Sequence, residues 1–476
     1  MKKYIVILTV IAFLSSCSDF GDLNVDPKSP TAVPAETLFA NATKNLSNQM
    51  VSTNVNVNIF RLFAQYWTET TYTDEANYDL VTRDIPGTHW DRLYRDVLKD
   101  LDETRKVILA NEDEATSPTL RDNQLASISI LEVFTYHVLV DSFGNVPFTE
   151  ALDSDNVLPA YDDDEAIYDA IISQLNEAIT MISPNEGSFG DSDLIYGGDM
   201  NAWLRFANSL KLRMAVRIAA VNPGMAATMA TEAVAGGVFT SNEDNASFEY
   251  LSSSPNTNPV WVDLVQSGRQ DFIPANTLVD IMNALNDPRR EVYFADNMGA
   301  GVYIGGTYGE NSPYGDHTHV GDLFHQPDTE GILMDYAEVE FLLAEAAELG
   351  LAGAASDAEM HYINAITASF DYWGVPGAGV YLANPDVAYA TAAPSWQETI
   401  AVQKWLALYN RGFEGWTTYR LYGYPVMNVP PTSMESVPRR YTYPVDEPSV
   451  NGASYSAAAD AMGGDLKSSR VFWDVN

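Results

Sequence analysis

Asp162-Asp163-Asp164-Glu165-Ala166-Ile167-Tyr168-Asp169-Ala170-Ile171-Ile172-Ser173-Gln174-Leu175-Asn176-Glu177-Ala178-Ile179-Thr180-Met181-Ile182-Ser183-Pro184 is the stretch whose periodicity decides the fold. Four acids stand where a helix start would be stabilised by negative charge, and Pro184 closes the run. Between them Ile167, Ile171, Leu175, Ala178 and Ile182 recur every three or four residues, the spacing of one buried helix face. A second stripe follows over 199–220, with Trp203, Ala207, Leu210, Met214 and Ile218 in register. The two segments read as a helical hairpin.

Working outward, similar pairs can be drawn at 36–50 with 57–68, at 90–110 with 123–140, and at 336–349 with 356–372, with a further helix over 396–411. In the 336–349 helix, Val339, Leu342, Leu343, Ala346 and Leu349 form the seam, and Glu338, Glu340, Glu345 and Glu348 are expected away from most of it. Helix pairs joined by short turns predict an all-α, tetratricopeptide-like stack, although the strict consensus of that repeat is absent. Arg205, Lys211, Arg213 and Arg217 on the second stripe are expected to pair with surrounding acids. Trp203 and Trp405 sit at helical spacing and belong to the core.

Two stretches break the helical pattern. About 239–335 carries scattered Gly, Pro, Asn and aromatic residues with one clear helix, 276–285, and about 423–476 is proline-rich and aperiodic. Long irregular segments rich in aromatics are expected to carry the binding surface.

The chain has 476 residues, 46% of them hydrophobic and 19% charged, so it is neither disordered nor a multi-span membrane protein. A formal net charge of −39 would repel nucleic acid and anionic lipid, which excludes nucleic-acid functions and favours a neutral or cationic ligand. A single cysteine, Cys17, allows no internal disulfide and no cysteine-rich metal centre.

Lys2 and Lys3 precede an apolar run from Tyr4 to Leu14, too short to span a bilayer and suited to a secretory signal. Leu14-Ser15-Ser16-Cys17 resembles the bacterial lipobox, which implies cleavage before Cys17 and acylation of the new terminus. Attachment through acyl chains at about 0.8 kcal/mol per buried CH₂ needs no transmembrane helix. The expected organisation is a signal peptide over 1–16, a lipidated flexible tether over 17–34 and a single helical domain over 35–476. Its scaffold spans about 35–238 and 336–412. Ser18, Asp19 and Asp22 resemble the acidic signal that sends lipoproteins to the exterior of the outer membrane.

Four blocks carry a wider resemblance: Asp193-Leu194-Ile195-Tyr196-Gly197-Gly198-Asp199 running into Trp203-Leu204-Arg205-Phe206-Ala207-Asn208-Ser209-Leu210-Lys211-Leu212-Arg213; Glu338-Val339-Glu340-Phe341-Leu342-Leu343-Ala344-Glu345-Ala346-Ala347; Gln403-Lys404-Trp405-Leu406-Ala407-Leu408-Tyr409; and Pro438-Arg439-Arg440-Tyr441-Thr442-Tyr443-Pro444. With the lipobox and Phe472-Trp473-Asp474, the chain resembles the SusD/RagB family of Bacteroidetes outer-membrane nutrient-binding lipoproteins, in its SusD-like branch. The resemblance implies a partner, a SusC-like TonB-dependent outer-membrane barrel over which the protein sits as a hinged lid, delivering oligosaccharide or polysaccharide. It implies no catalysis, and no cofactor is expected.

A sugar site needs flat rings for C–H faces and polar side chains for hydroxyls. Trp67, Tyr72, Asn77 and Tyr78 form one such grouping, which could equally cap the first hairpin. Trp261, Arg269 and Asp271 form a second, near Tyr303, Tyr308 and Tyr314 in a glycine-rich stretch that could also be a plain hairpin with surface tyrosines; 258–261 and 267–272 also resemble recurrent family stretches, which offers a structural role for Arg269 and Asp271 as the alternative. His317, His319 and His325 could offer metal ligands, but loop histidines beside a sugar pocket fit the same residues; His317 is kept as a ligand-binding candidate and no metal site is expected. No catalytic signature such as Gly-x-Ser-x-Gly, His-Glu-x-x-His or a phosphate-cradling loop is present. Glycan capture is the expected function, with laminarin-like neutral glucan as cargo. A peptide-binding lid and a secreted glycoside hydrolase are the alternatives.

Overall fold

Asp163 starts the helix of the opening stretch, its carboxylate accepting the Ala166 N–H at 3.1 Å, and the helix runs over Asp164–Met181. Asp199, Ser395 and Asp335 cap three further helices in the same way. The computed structural model describes residues 33–110 and 117–476. The signal peptide, Cys17 and all of the tether except Val33 and Pro34 lie outside the described residues.

The principal helices are α1 (Ala35–Val51), α2 (Ile85–Asp91 continuing through a π-helical turn, Arg92–Leu98, into Lys99–Ala110), α3 (Pro118–Phe143), α4 (Asp164–Met181), α5 (Met200–Ile218), α6 (Pro223–Gly236), α7 (Asn276–Ala284), α8 (Tyr336–Glu348), α9 (Ala358–Tyr372), α10 (Trp396–Ala407), α11 (Gly412–Tyr422) and α12 (Gly452–Ala461). They pack as α1/α2, α3/α4, α5/α6, α8/α9 and α10/α11, and α5 also touches α3, α4 and α8, which joins the early pairs to the late ones. The fold is mostly helical, as the hydrophobic periodicity predicts.

The pairing differs from the expected one. The 57–68 segment is helical only over Phe60–Phe63; Gln65 then takes a left-handed φ of 53° and the chain leaves as strand β1 (Trp67–Glu69). Its residues are buried on every side, so a short apolar run carried no face by which helix and strand could be told apart. The partner of α1 is α2 instead. In turn α4 pairs with α3, and α5 with α6, an alanine-rich helix that begins at Pro223 and has no counterpart among the expected helices. Pro223 occupies the first turn, where a missing N–H is harmless, and Asn222 caps it. By length and composition α3 could cross a membrane, yet 94% of its apolar window is buried inside the protein, so it is the central core helix.

The glutamates of α8 also differ from expectation. Glu338 and Glu345 are completely buried and Glu340 nearly so. Glu338 receives Arg213 Nε at 2.7 Å and Nη2 at 2.9 Å, together with Arg411; Arg411 also meets Asp335 at 2.6 Å. Lys404 holds Glu345 at 2.8 Å. Arg217 bridges Asp141 at 3.0 Å and Glu414 at 2.9 Å, while Arg205 pairs with Asp244 and Lys211 with Glu232. The basic stripe of α5 thus clamps α3, α8 and α11 by buried charge, and Trp203 and Trp405 lie fully inside the core.

Candidate binding cleft

Two-stranded pairing brings the segment that follows Phe63 to the irregular stretch at 239–335. Strand β1 runs antiparallel to β3 (Phe272–Pro274, with β2, Ala246–Phe248, preceding it in the chain), registering Trp67 with Pro274 and Glu69 with Phe272. Beyond the strands, Thr70 N donates to Asp271 O at 2.9 Å and its hydroxyl to Gln270 O at 2.6 Å. This ladder fixes Tyr72 beside Arg269 and Asp271.

The result is a polar cleft of about 380 Å³ lined by Tyr72, Arg269 and Asp271 together with Asn54, Asn56, Arg83, Asp263 and Phe272. Tyr72 is 63% exposed, a free aromatic face at the cleft. Arg269 Nη2 donates to Asp271 Oδ1 at 3.1 Å and its Nε to Oδ2, so the pair presents a fixed fork. That hydrogen bond to Asp271 raises the Arg269 pKa above its ordinary value. Asn54 Nδ2 donates to Asp263 Oδ1 at 2.8 Å. Burial pushes the Asp263 carboxyl up to about 6, with Asp271 adding to the shift and Asn54 and Arg61 opposing it.

A raised carboxyl pKa favours the folded state below about pH 4 and loses that contribution as pH rises through about 6. Asp263→Asn, which keeps the acceptor for Asn54, is therefore expected to raise the melting temperature at pH 7.5 and to leave it unchanged near pH 3.5. A thermal melt of both proteins at the two pH values checks this.

The other predicted site residues lie outside that lining. Trp67, Tyr78 and Tyr308 are buried: Trp67 Nε1 donates to the Tyr409 hydroxyl at 2.8 Å, Gln65 donates to the Tyr78 hydroxyl at 3.1 Å, and the Tyr308 hydroxyl donates to Leu62 O at 2.7 Å. A ring without an exposed face cannot stack on a sugar, so these three serve the core. Asn77 ties loops together, donating to Thr73 O and Gly309 O and accepting from Ser433 N. Trp261 is half-buried two residues before Asp263.

Tyr303 lies under Arg290, whose guanidinium carbon is 5.5 Å from the ring centroid. Tyr314 stacks on His319 at 3.7 Å, and His317 Nδ1 lies 2.8 Å from Pro313 O. Among the described residues no group of three or more His, Cys, Asp or Glu is arranged to hold a metal ion. Sequence reasoning missed Asn54, Asn56, Arg83 and Asp263; the alternating Asn54-Val55-Asn56-Val57-Asn58 was the one available signal, a polar run between two apolar segments.

A family model described as SusD-like, starch-binding and associating with the outer membrane matches residues 27–444. The fold is shared with a chitin-binding SusD homologue from Flavobacterium johnsoniae, 26% identical, with a TM-score of 0.77 over 93% of this chain and 99% of that one. A SusD homologue from Bacteroides uniformis is also 26% identical, with a TM-score of 0.79 over 92% and 99% of the two chains. One from Bacteroides ovatus is 25% identical, with a TM-score of 0.76 over 92% and 99%. No curated protein matches the chain. With the family model spanning most of its length and the helical scaffold held in common, the chain belongs to the SusD-like family.

Proposed function

We propose that the protein captures a neutral glycan at the cell exterior and passes it to a SusC-like TonB-dependent outer-membrane transporter, held at the membrane by lipid on Cys17. The observation that carries this reading is the meeting of an exposed tyrosine ring with the Arg269–Asp271 fork, Asp263, Asn54 and Asn56 in one cleft. Tyr72 offers a face to axial C–H groups, and the amides, carboxylates and guanidinium offer donors and acceptors to hydroxyls. Family membership and the chitin-binding description of one relative support the glycan class. A net charge of −39 disfavours polyanionic polysaccharides, which makes a neutral glucan such as laminarin the first probe.

The protein is read as a binder without catalysis. Asp271 has both carboxylate oxygens engaged by Arg269. A glycosidase would need a pair of freely acting carboxyl groups about 5–9.5 Å apart across the scissile bond. Native gels containing laminarin, soluble chitin or starch are expected to retard the purified protein, with no rise in reducing ends after overnight incubation. Retardation by none of them together with heat release on an oligopeptide pool would replace glycan by peptide cargo. Liberated reducing ends would make the protein an enzyme.

A further inference from the structure

Residues Trp90, Tyr94 and Tyr161 form the floor of a separate groove of about 340 Å³, walled by Leu152, Val157 and Val450. None of these residues lines the polar cleft. Trp90 lies 5.0 Å from Tyr94 and 5.6 Å from Tyr161 by ring centroids, with the ring planes tilted by 47° and 35°, so an aromatic cluster lines the groove. All three residues are half-buried.

The walls are pinned. Tyr94 donates to Pro147 O at 2.6 Å, Lys99 to Leu152 O at 3.0 Å, and Asn451 to Pro159 O at 2.8 Å, while the Tyr161 hydroxyl bonds Glu447. A groove whose loops are already tied loses little entropy when it fills. Its two cations are occupied: Arg95 by Asp96 and Asp91, Lys99 by Asp102 and Glu103. That leaves no free positive charge for an anionic ligand. What the groove offers is mainly aromatic and aliphatic surface, with its charged side chains already paired.

We propose that this groove is a second glycan site, which grips the C–H faces of equatorially substituted pyranose rings by stacking and so gives a long polymer a second hold on the protein. The inference rests on the glycan reading above. Its chemistry is complementary to the cleft: the cleft sets one exposed ring among charged and amide groups that read hydroxyls, whereas the groove offers mainly aromatic and aliphatic contact. Two sites engaged by one polymer raise apparent affinity by effective concentration.

Val157 is 77% exposed at the rim, so Val157→Asp places a carboxylate over the groove without touching the core. Trp90→Ala removes the floor but also contacts with Phe143 and Tyr443, so Val157→Asp is the variant that keeps the fold. Using the polysaccharide that retards the wild type, Val157→Asp is expected to weaken polymer binding about 10-fold. Titration of Tyr72→Ala with the same polymer should leave residual binding that Val157→Asp then removes. Unchanged polymer affinity in Val157→Asp overturns the second site and leaves the cleft standing. A wild type that binds no glycan overturns both.

Discussion

Glu338→Ala is expected to destabilise the protein by about 3–5 kcal/mol, the range seen when one partner of a buried ion pair is removed. Glu338 is wholly buried and accepts from Arg213 at 2.7 and 2.9 Å and from Arg411. Burial alone would raise its pKa, but the two guanidinium groups overcome that and hold it below the ordinary carboxylate value. Taking the carboxylate away leaves Arg213 and Arg411 in the interior facing fewer counter-charges, where each remaining cation is poorly solvated. Glu103→Ala is the control: its side chain is 43% exposed and its bonds to Lys99 and Lys106 face water. Pairs of that kind contribute about 0–1 kcal/mol. Urea midpoints of the two variants measure the difference; a loss below about 1 kcal/mol for Glu338→Ala would show that the buried clamp between α5, α8 and α11 is not what ties the scaffold together.

The second large effect runs against helix propensity. Gly412 opens α11, where alanine would ordinarily be better than glycine by about 0.5–1 kcal/mol. A Cβ there, however, would stand 2.5 Å from the backbone nitrogen of Arg61 and 2.6 Å from the Phe60 carbonyl carbon. Backbone cannot swing aside as a side chain can, so Gly412→Ala is expected to destabilise by about 1–3 kcal/mol through overpacking. The same close approach recurs one turn later, where a Cβ at Gly415 would lie 2.3 Å from the Tyr66 hydroxyl. These two glycines let α11 lie against the 60–66 segment that leads into β1. Because that segment positions Tyr72, Gly412→Ala should also weaken glycan binding, whereas a rise in the urea midpoint would contradict the close packing described.

The helical scaffold was legible because its signal is local. Periodicity and capping acids lie within twenty residues of one another, and α4, α5, α7, α8, α9 and α10 appear close to where the spacing puts them. Pairing was less legible because it depends on which faces meet. The α6 helix begins with Pro223-Gly224, and its low-contrast alanine pattern gives no sharp stripe. The glutamates of α8 looked solvent-facing because sequence shows their charge but not the arginines that α5 and α11 bring to them.

At the site the difference is between rings and neighbours. Tyr72, Arg269 and Asp271 were visible as polar and aromatic residues in irregular stretches, and the β1–β3 ladder brings them to one cleft. Trp67, Tyr78 and Tyr308 carry the same residue types, yet they are buried, because an aromatic ring serves a core as readily as a sugar. Asp263 and Asn54 meet in the cleft across 209 residues of chain, a contact that no local pattern encodes, and Asn56 is held there by Asn54.

The most direct test of the cleft is calorimetric titration of the wild type and the Tyr72→Ala/Arg269→Ala double variant with a short oligosaccharide of the glycan that retards the wild type. Both side chains are more than half exposed, at 63% for the Tyr72 residue and 57% for the Arg269 side chain, so the fold should persist. A loss of at least about 10-fold in affinity, equivalent to about 1.4 kcal/mol, with an unchanged urea midpoint is the predicted result. Equal affinity in the two proteins would place the sugar elsewhere and contradict the assignment of this cleft.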